Sequence, residues 1–448
     1  MNFKETIVAL ATPAGLGALA VLRISGPEAF EIFQKLSPRI NVKTKLSHSA
    51  FLAKIYTEEG EILDEALVIL FQNPRSFTGE NVVEISLHGS PYIIQECIKL
   101  CLNYGGRLAR PGEFSQRAFI NGKLDLAQAE AIGDLIASES KASHRAAFRQ
   151  LKGNLSKAIY ELRQELIDFT ALIELELDFG EEDVEFADRT KLLELIGRIQ
   201  NQIKTLTQSF STGQAVKNGI PIIIVGAPNA GKSTLLNALL EEEKAIVSPI
   251  AGTTRDVIED QLIIHGVQYR FLDTAGLRTT DDVVESIGIE RTIAQLERAS
   301  LALLLQAPEN SNAEIEAIEL QIKERNVPYF NIRTKADLAT ELDGKAFNLS
   351  AKTGLGLTDL KDRIFTSTVE KEMLETETPL ITNLRHFEAL TSAGKALEQV
   401  KAGIHSQLSG DLLATDIREA LFYLGSITGE ISVEEVLGSI FSKFCIGK

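Results

Sequence analysis

Three textures of hydrophobic and polar positions follow one another along this chain. In the first, short apolar runs are separated by turn residues. Residues 6–10 and 19–24 read as strands joined by a turn containing Gly15 and Gly17, and residues 66–71 and 82–87 read as two more. Residues 91–103 read as an amphipathic helix with Cys97 and Cys101 on one face, a spacing that suits core packing. The texture changes after Pro111, because no proline recurs until Pro221. Leu124, Ala127, Ala131, Leu135 and the Leu/Ile-rich run from Leu155 to Leu177 repeat at helical spacing, which predicts a bundle of long helices. The acidic stretch 178–183 reads as a solvated turn between two of them. At residues 219–225 the pattern becomes continuously apolar, as in a strand buried within a parallel sheet. Strands and helices then alternate to about residue 370. Helical spacing returns beyond Pro379, through 387–400 and 411–424. The predicted fold class is therefore multidomain, part α/β and part all-α. Residues 1–118 form an N-terminal α/β domain, 119–216 the first part of a helical domain, 217–375 an inserted α/β domain, and 376–448 the second helical part. Such an insertion is tolerated where the ends of the inserted block lie close together.

Length and composition agree with several ordinary cores. The chain has 448 residues, 44% hydrophobic and 24% charged, about three domains' worth. No apolar run reaches the roughly 18 residues of a membrane helix, and Met1 to Thr6 shows no basic-then-apolar leader. Three cysteines, Cys97, Cys101 and Cys445, make neither a disulfide framework nor a zinc site. The expectation is a cytoplasmic protein with no membrane partner. The net charge of −16 argues against tight nucleic-acid binding by this chain alone, since such surfaces are usually basic. No DNA partner is expected.

The strongest motif lies in the insert. Gly226-Ala227-Pro228-Asn229-Ala230-Gly231-Lys232-Ser233 follows the apolar strand and opens a helix at Thr234, the P-loop in its required context. Its glycines let backbone N–H groups wrap a β-phosphate, and the helix N-terminus adds its positive end. Lys232 would neutralise β/γ charge, and Ser233 would hold Mg²⁺. Thr334-Lys335-Ala336-Asp337 follows the strand-like 329–332 and resembles the Asn-Lys-x-Asp motif of guanine-specific GTPases. Asp337 would accept from the guanine N1–H and N2 amino groups, and Ser350-Ala351-Lys352 would meet guanine O6 through the backbone. Thr334 departs from the commoner Asn, which leaves one supporting hydrogen bond open. Between these segments, Asp273-Thr274-Ala275-Gly276 fits the element that senses a γ-phosphate. The loop Ser248-Pro249-Ile250-Ala251-Gly252-Thr253-Thr254 fits the threonine switch, with Thr254 on Mg²⁺. The order of these elements predicts a Ras-like P-loop GTPase domain that binds GTP.

Two details separate it from Ras itself. Leu277 follows Gly276, where Ras has the glutamine that orients the attacking water. Asn229 in the P-loop resembles the asparagine of potassium-dependent GTPases, where a K⁺ ion between β- and γ-phosphates does the work of an arginine finger. Its expected ligands are Asn229 and oxygens of Ser248, Ile250 and Thr253. Glu285 follows the second switch and is the candidate for holding the water.

With the insert, the segments Leu22-Arg23-Ile24-Ser25-Gly26, Ser76-Phe77-Thr78-Gly79-Glu80, Ala109-Arg110-Pro111-Gly112-Glu113-Phe114-Ser115, residues 121–130 and the tail Cys445-Ile446-Gly447-Lys448 resemble the MnmE (TrmE) family nearly end to end. That resemblance implies a dimerising N-terminal domain that binds a tetrahydrofolate derivative, in 5-formyl or methylene form. By position Arg23, Glu80, Lys123 and Lys448 match the family's folate contacts. It also implies a homodimer, and a heterotetramer with a flavin- and NADH-using protein, MnmG (GidA). Together they place a carboxymethylaminomethyl-type group on C5 of the wobble uridine of certain tRNAs. Cys445 reads either as an incidental thiol near the end of the sequence or as a nucleophile whose thiolate Lys443 or Lys448 favours. The rival readings are a ribosome-assembly GTPase and a switch protein whose partner does all the chemistry.

Overall fold

The structure is a computed structural model that describes residues 5–178, 188–241, 260–272, 295–338, 347–369, 379–431, 434–442, 444 and 447. The acidic stretch from residue 179 onward lies outside the described residues. The chain divides into two compact units. The first comprises residues 1–136, 150–199 and 392–448, and the second residues 137–149 and 200–391.

In the first unit, β1 (Ile7–Leu10), β2 (Leu19–Ser25), β3 (Ala50–Tyr56), β4 (Ile62–Phe71), β5 (Val82–His88) and β6 (Arg107–Leu108) form one sheet in the order β3-β4-β5-β2-β1-β6. Neighbours are antiparallel except β1 and β6, which run parallel with Ile7 opposite Arg107. Strand alternation sends Leu22, Ile24, Val68, Leu70, Val83 and Ile85 into one core. There they meet α1 (Ala29–Leu36) and α2 (Pro91–Asn103). The α2 bounds are those the sequence pattern predicts. Cys97 and Cys101 are wholly buried in this core. A hydrogen bond with Cys97, together with burial, pushes the Cys101 thiol well up, which leaves it an inert packing group.

The further helices of this unit are α3 (Glu113–Ile120), α4 (Leu126–Ile136), α6 (Asn154–Asp178), the start of α7 (Arg189–Gln208), the end of α12 (Leu384–His405), α13 (Gly410–Thr428) and α14 (Glu434–Phe441). Helix α6 buries Leu155, Ile159, Leu162, Leu166 and Ile173 at the three- and four-residue steps of one helical face. It packs against α13, which buries Leu413, Ile417, Ala420, Leu424 and Ile427. Ion pairs Arg163–Glu430 and Arg418–Glu174 flank that seam.

In the second unit, β7 (Ile220–Gly226), β8 (Asp260–Ile264), β9 (Val267–Leu272), β10 (Leu301–Gln306), β11 (Tyr329–Arg333) and β12 (Phe347–Asn348) form a sheet in the order β12-β11-β10-β7-β9-β8. All pairs are parallel except the edge pair β8–β9. With α9 (Lys232–Glu241), α10 (Asn312–Glu324) and α11 (Leu357–Thr368) against it, this is the expected Ras-like P-loop domain. Its central strands β7 and β10 are apolar on both faces because helices or loops cover both. The block is entered through α8 (Phe210–Asn218), and the returning segment 379–383 lies against that helix. Ile381 N–H donates to Ser209 Oγ (3.1 Å) and Gln214 Nε2 to Thr382 O (2.9 Å). The rings of Phe210 and Phe387 stack at 4.4 Å between centroids. Helix α5 (Lys141–Leu151) begins in this unit, with Ala142 N–H donating to Gly266 O at the β8–β9 turn (3.0 Å). No described helix is long and apolar enough to cross a membrane.

Candidate functional site

A parallel sheet carries its ligands beyond the carboxyl ends of its strands, and the P-loop leaves β7 at that end. Gly226 is required by close approach, since a Cβ there would lie 2.7 Å from Leu305 O on the neighbouring strand. Asn229 and Gly231 both adopt left-handed backbone (φ 61° and 89°). Such a turn directs successive N–H groups into one concavity, a nest for an anion. Helix α9 starts at Lys232, so its positive end faces the same concavity. Lys232 folds back over the loop, its Nζ donating to Gly226 O and Ala227 O at 3.0 Å each. Asn310 Nδ2 braces the loop from outside through Pro228 O (3.0 Å). Asn229, Ser233 and Thr234 are exposed at its mouth, and Ala230 is buried beneath it.

The segment Thr334 to Asp337 leaves β11 next to this loop. Thr334 is buried and its hydroxyl donates to Ala230 O (2.8 Å). Lys335 takes a left-handed backbone (φ 56°) and pairs with Glu309. Asp337 is exposed, and Ser350 Oγ donates to its Oδ1 (2.6 Å). That hydrogen bond, the backbone and then Lys352 hold the Asp337 carboxyl below its ordinary value. It is therefore an acceptor at neutral pH. Ser350 is fixed in turn by Thr353 N–H, which donates to its Oγ (3.3 Å). Ala351 and Lys352 continue from it along the rim. The structure thus brings Asn229 to Thr234, Thr334 to Asp337 and Ser350 to Lys352 to one end of one sheet. Ser248, Pro249, Ile250, Ala251, Gly252, Thr253, Thr254, Asp273, Thr274, Ala275, Gly276 and Glu285 lie outside the described residues.

A second cluster lies in the first unit. Arg23 on β2 pairs with Glu84 on β5 (Nη2–Oε1 2.8 Å), donates from Nη1 to Gly447 O (3.3 Å), and lies over the rings of Phe77 and Phe114. Two residues on, Ser25 Oγ donates to Glu80 Oε2 (2.7 Å). Arg117 Nη1 contacts both Glu80 oxygens at 3.1 and 3.0 Å. The stem of Lys123 passes over Gly79. Arg23, Glu80 and Lys123, three of the four residues expected from the sequence to meet a folate, therefore belong to neighbouring segments. Lys448 and Cys445 lie outside the described residues. Sequence reasoning missed Arg117, which is 1% exposed and also bonds Glu113 at 3.0 Å. Its signal was the Glu113/Arg117 spacing of four on one helix. Burial pushes the Glu113 carboxyl up, but Arg107, the Arg110 N–H and Arg117 overcome this and hold it at about 2.

Residues 6–123 match the family described as GTP-binding protein TrmE N-terminus, and residues 126–445 match MnmE helical domain. The tRNA modification GTPase MnmE of Cytophaga hutchinsonii is 48% identical over 456 residues, covering 100% of this chain and 98% of its own length. That of Flavobacterium johnsoniae is 48% identical and covers 99% of each. Among solved structures, Aquifex aeolicus Era bound to GDP.AlF4⁻ is 29% identical over 39% of this chain and 66% of its own, with a TM-score of 0.27. With family matches on both sides of residue 124 and near-half identity over full length, this chain belongs to the family of the tRNA modification GTPase MnmE.

Proposed function

We propose that the chain is a potassium-dependent GTP hydrolase that modifies C5 of the wobble uridine of certain tRNAs. It works as a homodimer with a flavin-dependent partner of the MnmG (GidA) kind, which completes a heterotetramer. The group installed is of the carboxymethylaminomethyl type and draws on a tetrahydrofolate one-carbon unit. The observation that carries this reading is the presence, in one chain, of a P-loop hydrogen-bonded to the segment that carries Asp337 and of a separate ionic cluster around Glu80.

In the GTPase unit, Asp337 takes the guanine N1–H and N2 amino edge, and the Asn229–Gly231 nest with Lys232 takes the phosphates. Ser233, exposed at the first turn of α9, suits Mg²⁺ together with Thr254. Asn229, exposed on its left-handed turn, suits K⁺ together with Ser248, Ile250 and Thr253. These ions supply positive charge against the triphosphate. Glu285 orients the water that attacks the γ-phosphorus as the bond to the β-phosphate oxygen breaks. In the other unit, Arg23, Lys123 and Lys448 suit the anionic tail of a folate, and Glu80 suits the donor-rich pterin edge. Cys445 is the nucleophile candidate there. The domain scheme that accompanies this reading has 1–118 for folate and dimer contacts, 217–375 for GTP, and the two helical segments between and after them.

Nucleoside analysis of tRNA from cells lacking the chain tests the proposal. Loss of the C5 modification at the wobble uridine is expected. Unchanged wobble uridines would leave a GTPase with some other task, the ribosome-assembly or pure-switch alternative.

A further inference from the structure

Thr334 occupies the position where guanine-specific motifs of this kind commonly carry asparagine, and its surroundings define what it does instead. Its hydroxyl sits between two backbone carbonyls, 2.8 Å from Ala230 O in the P-loop and 3.3 Å from Gln306 O at the end of β10. The residue is 5% exposed. A hydroxyl has one proton to donate, and both neighbours are acceptors, so that proton is engaged between them. The side chain also lies against the P-loop glycine: a Cβ on Gly231 would be 3.9 Å from Thr334 Cβ. Three residues on, Asp337 faces solvent, held by Ser350.

Taking guanine to be read by Asp337, as proposed above, the base presents N1–H and its amino group to that carboxylate. Its five-membered ring then points back toward the P-loop and Thr334. N7 on that ring is an acceptor and needs a donor. An asparagine amide has two N–H groups and can serve a P-loop carbonyl and N7 together, whereas threonine has one proton, already engaged. We propose that Thr334 is a positioning residue that latches the base-reading turn to the P-loop, and that it does not donate to N7 of the guanine, as an asparagine at this position could. The chain consequently tolerates nucleotides in which N7 is replaced by carbon.

Competition binding of GTP, 7-deaza-GTP and ATP to the full-length protein tests this, first in the wild type. GTP and 7-deaza-GTP should bind within about twofold of each other, both far ahead of ATP. Thr334→Asn should restore a donor and weaken 7-deaza-GTP relative to GTP by about threefold to tenfold, the worth of one net hydrogen bond. Thr334→Val, which keeps the shape and removes the proton, should weaken GTP and 7-deaza-GTP alike by about tenfold, because Ala230 O loses its partner. Tenfold weaker binding of 7-deaza-GTP to the wild type would overturn the N7 assignment while leaving the guanine reading intact. Undiminished affinity of Thr334→Val would overturn the latch. ATP competing as well as GTP would overturn base reading at Asp337, and this proposal with it.

Discussion

Asn229 meets two demands at one position. Its backbone must be left-handed to close the phosphate nest, a conformation asparagine tolerates better than most residues. Its carboxamide is exposed at the loop mouth, where a monovalent cation between phosphates would need an oxygen. Alanine removes the carboxamide and adds backbone strain; glycine removes the carboxamide and relieves it. Hydrolysis should be faster in potassium than in sodium for the natural chain. Both Asn229→Ala and Asn229→Gly should abolish about 10²–10³ of that rate while nucleotide affinity changes little. Steady-state turnover in matched chloride salts measures it, and equal rates in the two would remove potassium from the reaction. At this scale much of the local geometry of the candidate phosphate loop was legible in advance. Strand, loop and helix are contiguous there, and the spacing of Gly226, Gly231 and Lys232 follows from the geometry of wrapping a phosphate. The partner of Thr334 was not legible, because Ala230 lies more than a hundred residues away and only the folded sheet brings the two together.

Among the helices, the crossing of α8 with the returning segment 379–383 sets what the sequence tolerates. A Cβ on Gly213 would stand 2.2 Å from Ile381 O. Local propensity favours alanine over glycine in a helix by up to ~1 kcal/mol, so the two effects oppose each other. The clash should win, since moving that segment breaks the Ile381–Ser209 and Gln214–Thr382 hydrogen bonds. Gly213→Ala is expected to destabilise by about 1–3 kcal/mol. Gly197 in α7 has nothing within 4 Å of its Cβ position, and Gly197→Ala should stabilise by about 0.5–1 kcal/mol. Thermal melts of the two variants should move in opposite directions; a shared direction would show that propensity, not the crossing, governs both. Elements with a clean period were readable beforehand: α2, β2 and the strand leading to the P-loop. β3 was not, because its outward positions include the apolar Ala50 and Leu52, so the alternation of inward Phe51, Ala53 and Ile55 does not show as apolar against polar. The docking of the start of α5 on the β8–β9 turn was equally hidden, since Ala142 and Gly266, which the backbone hydrogen bond joins, lie more than a hundred residues apart in sequence.

The molecule as a whole carries a net charge of −16, and its response to acid depends on which carboxylates are held ionised. Glu113 is the clearest, lying between Arg107 and Arg117 and depressed from 4.5 to about 2. Between those values the unfolded chain binds a proton that the folded chain does not, so stability rises with pH across that window. The contribution is about 3 kcal/mol at neutral pH, present above 4.5 and lost as pH falls toward 2. Glu113→Gln should therefore lower the urea midpoint at pH 7, and its gap to the natural chain should shrink steadily below pH 4.5. A gap independent of pH would mean that the carboxylate's charge is not what Arg107 and Arg117 require. The pairing of α6 with α13 has a different kind of consequence, one that concerns time. The chain is made from its N-terminus, and roughly 230 residues separate the end of α6 from the start of α13. At about 5–20 residues per second, α6 leaves the ribosome some tens of seconds ahead of the helix that packs against it. Throughout that interval an apolar face waits for its partner while the GTPase block is being synthesised, so the first unit can be completed only after the second has emerged.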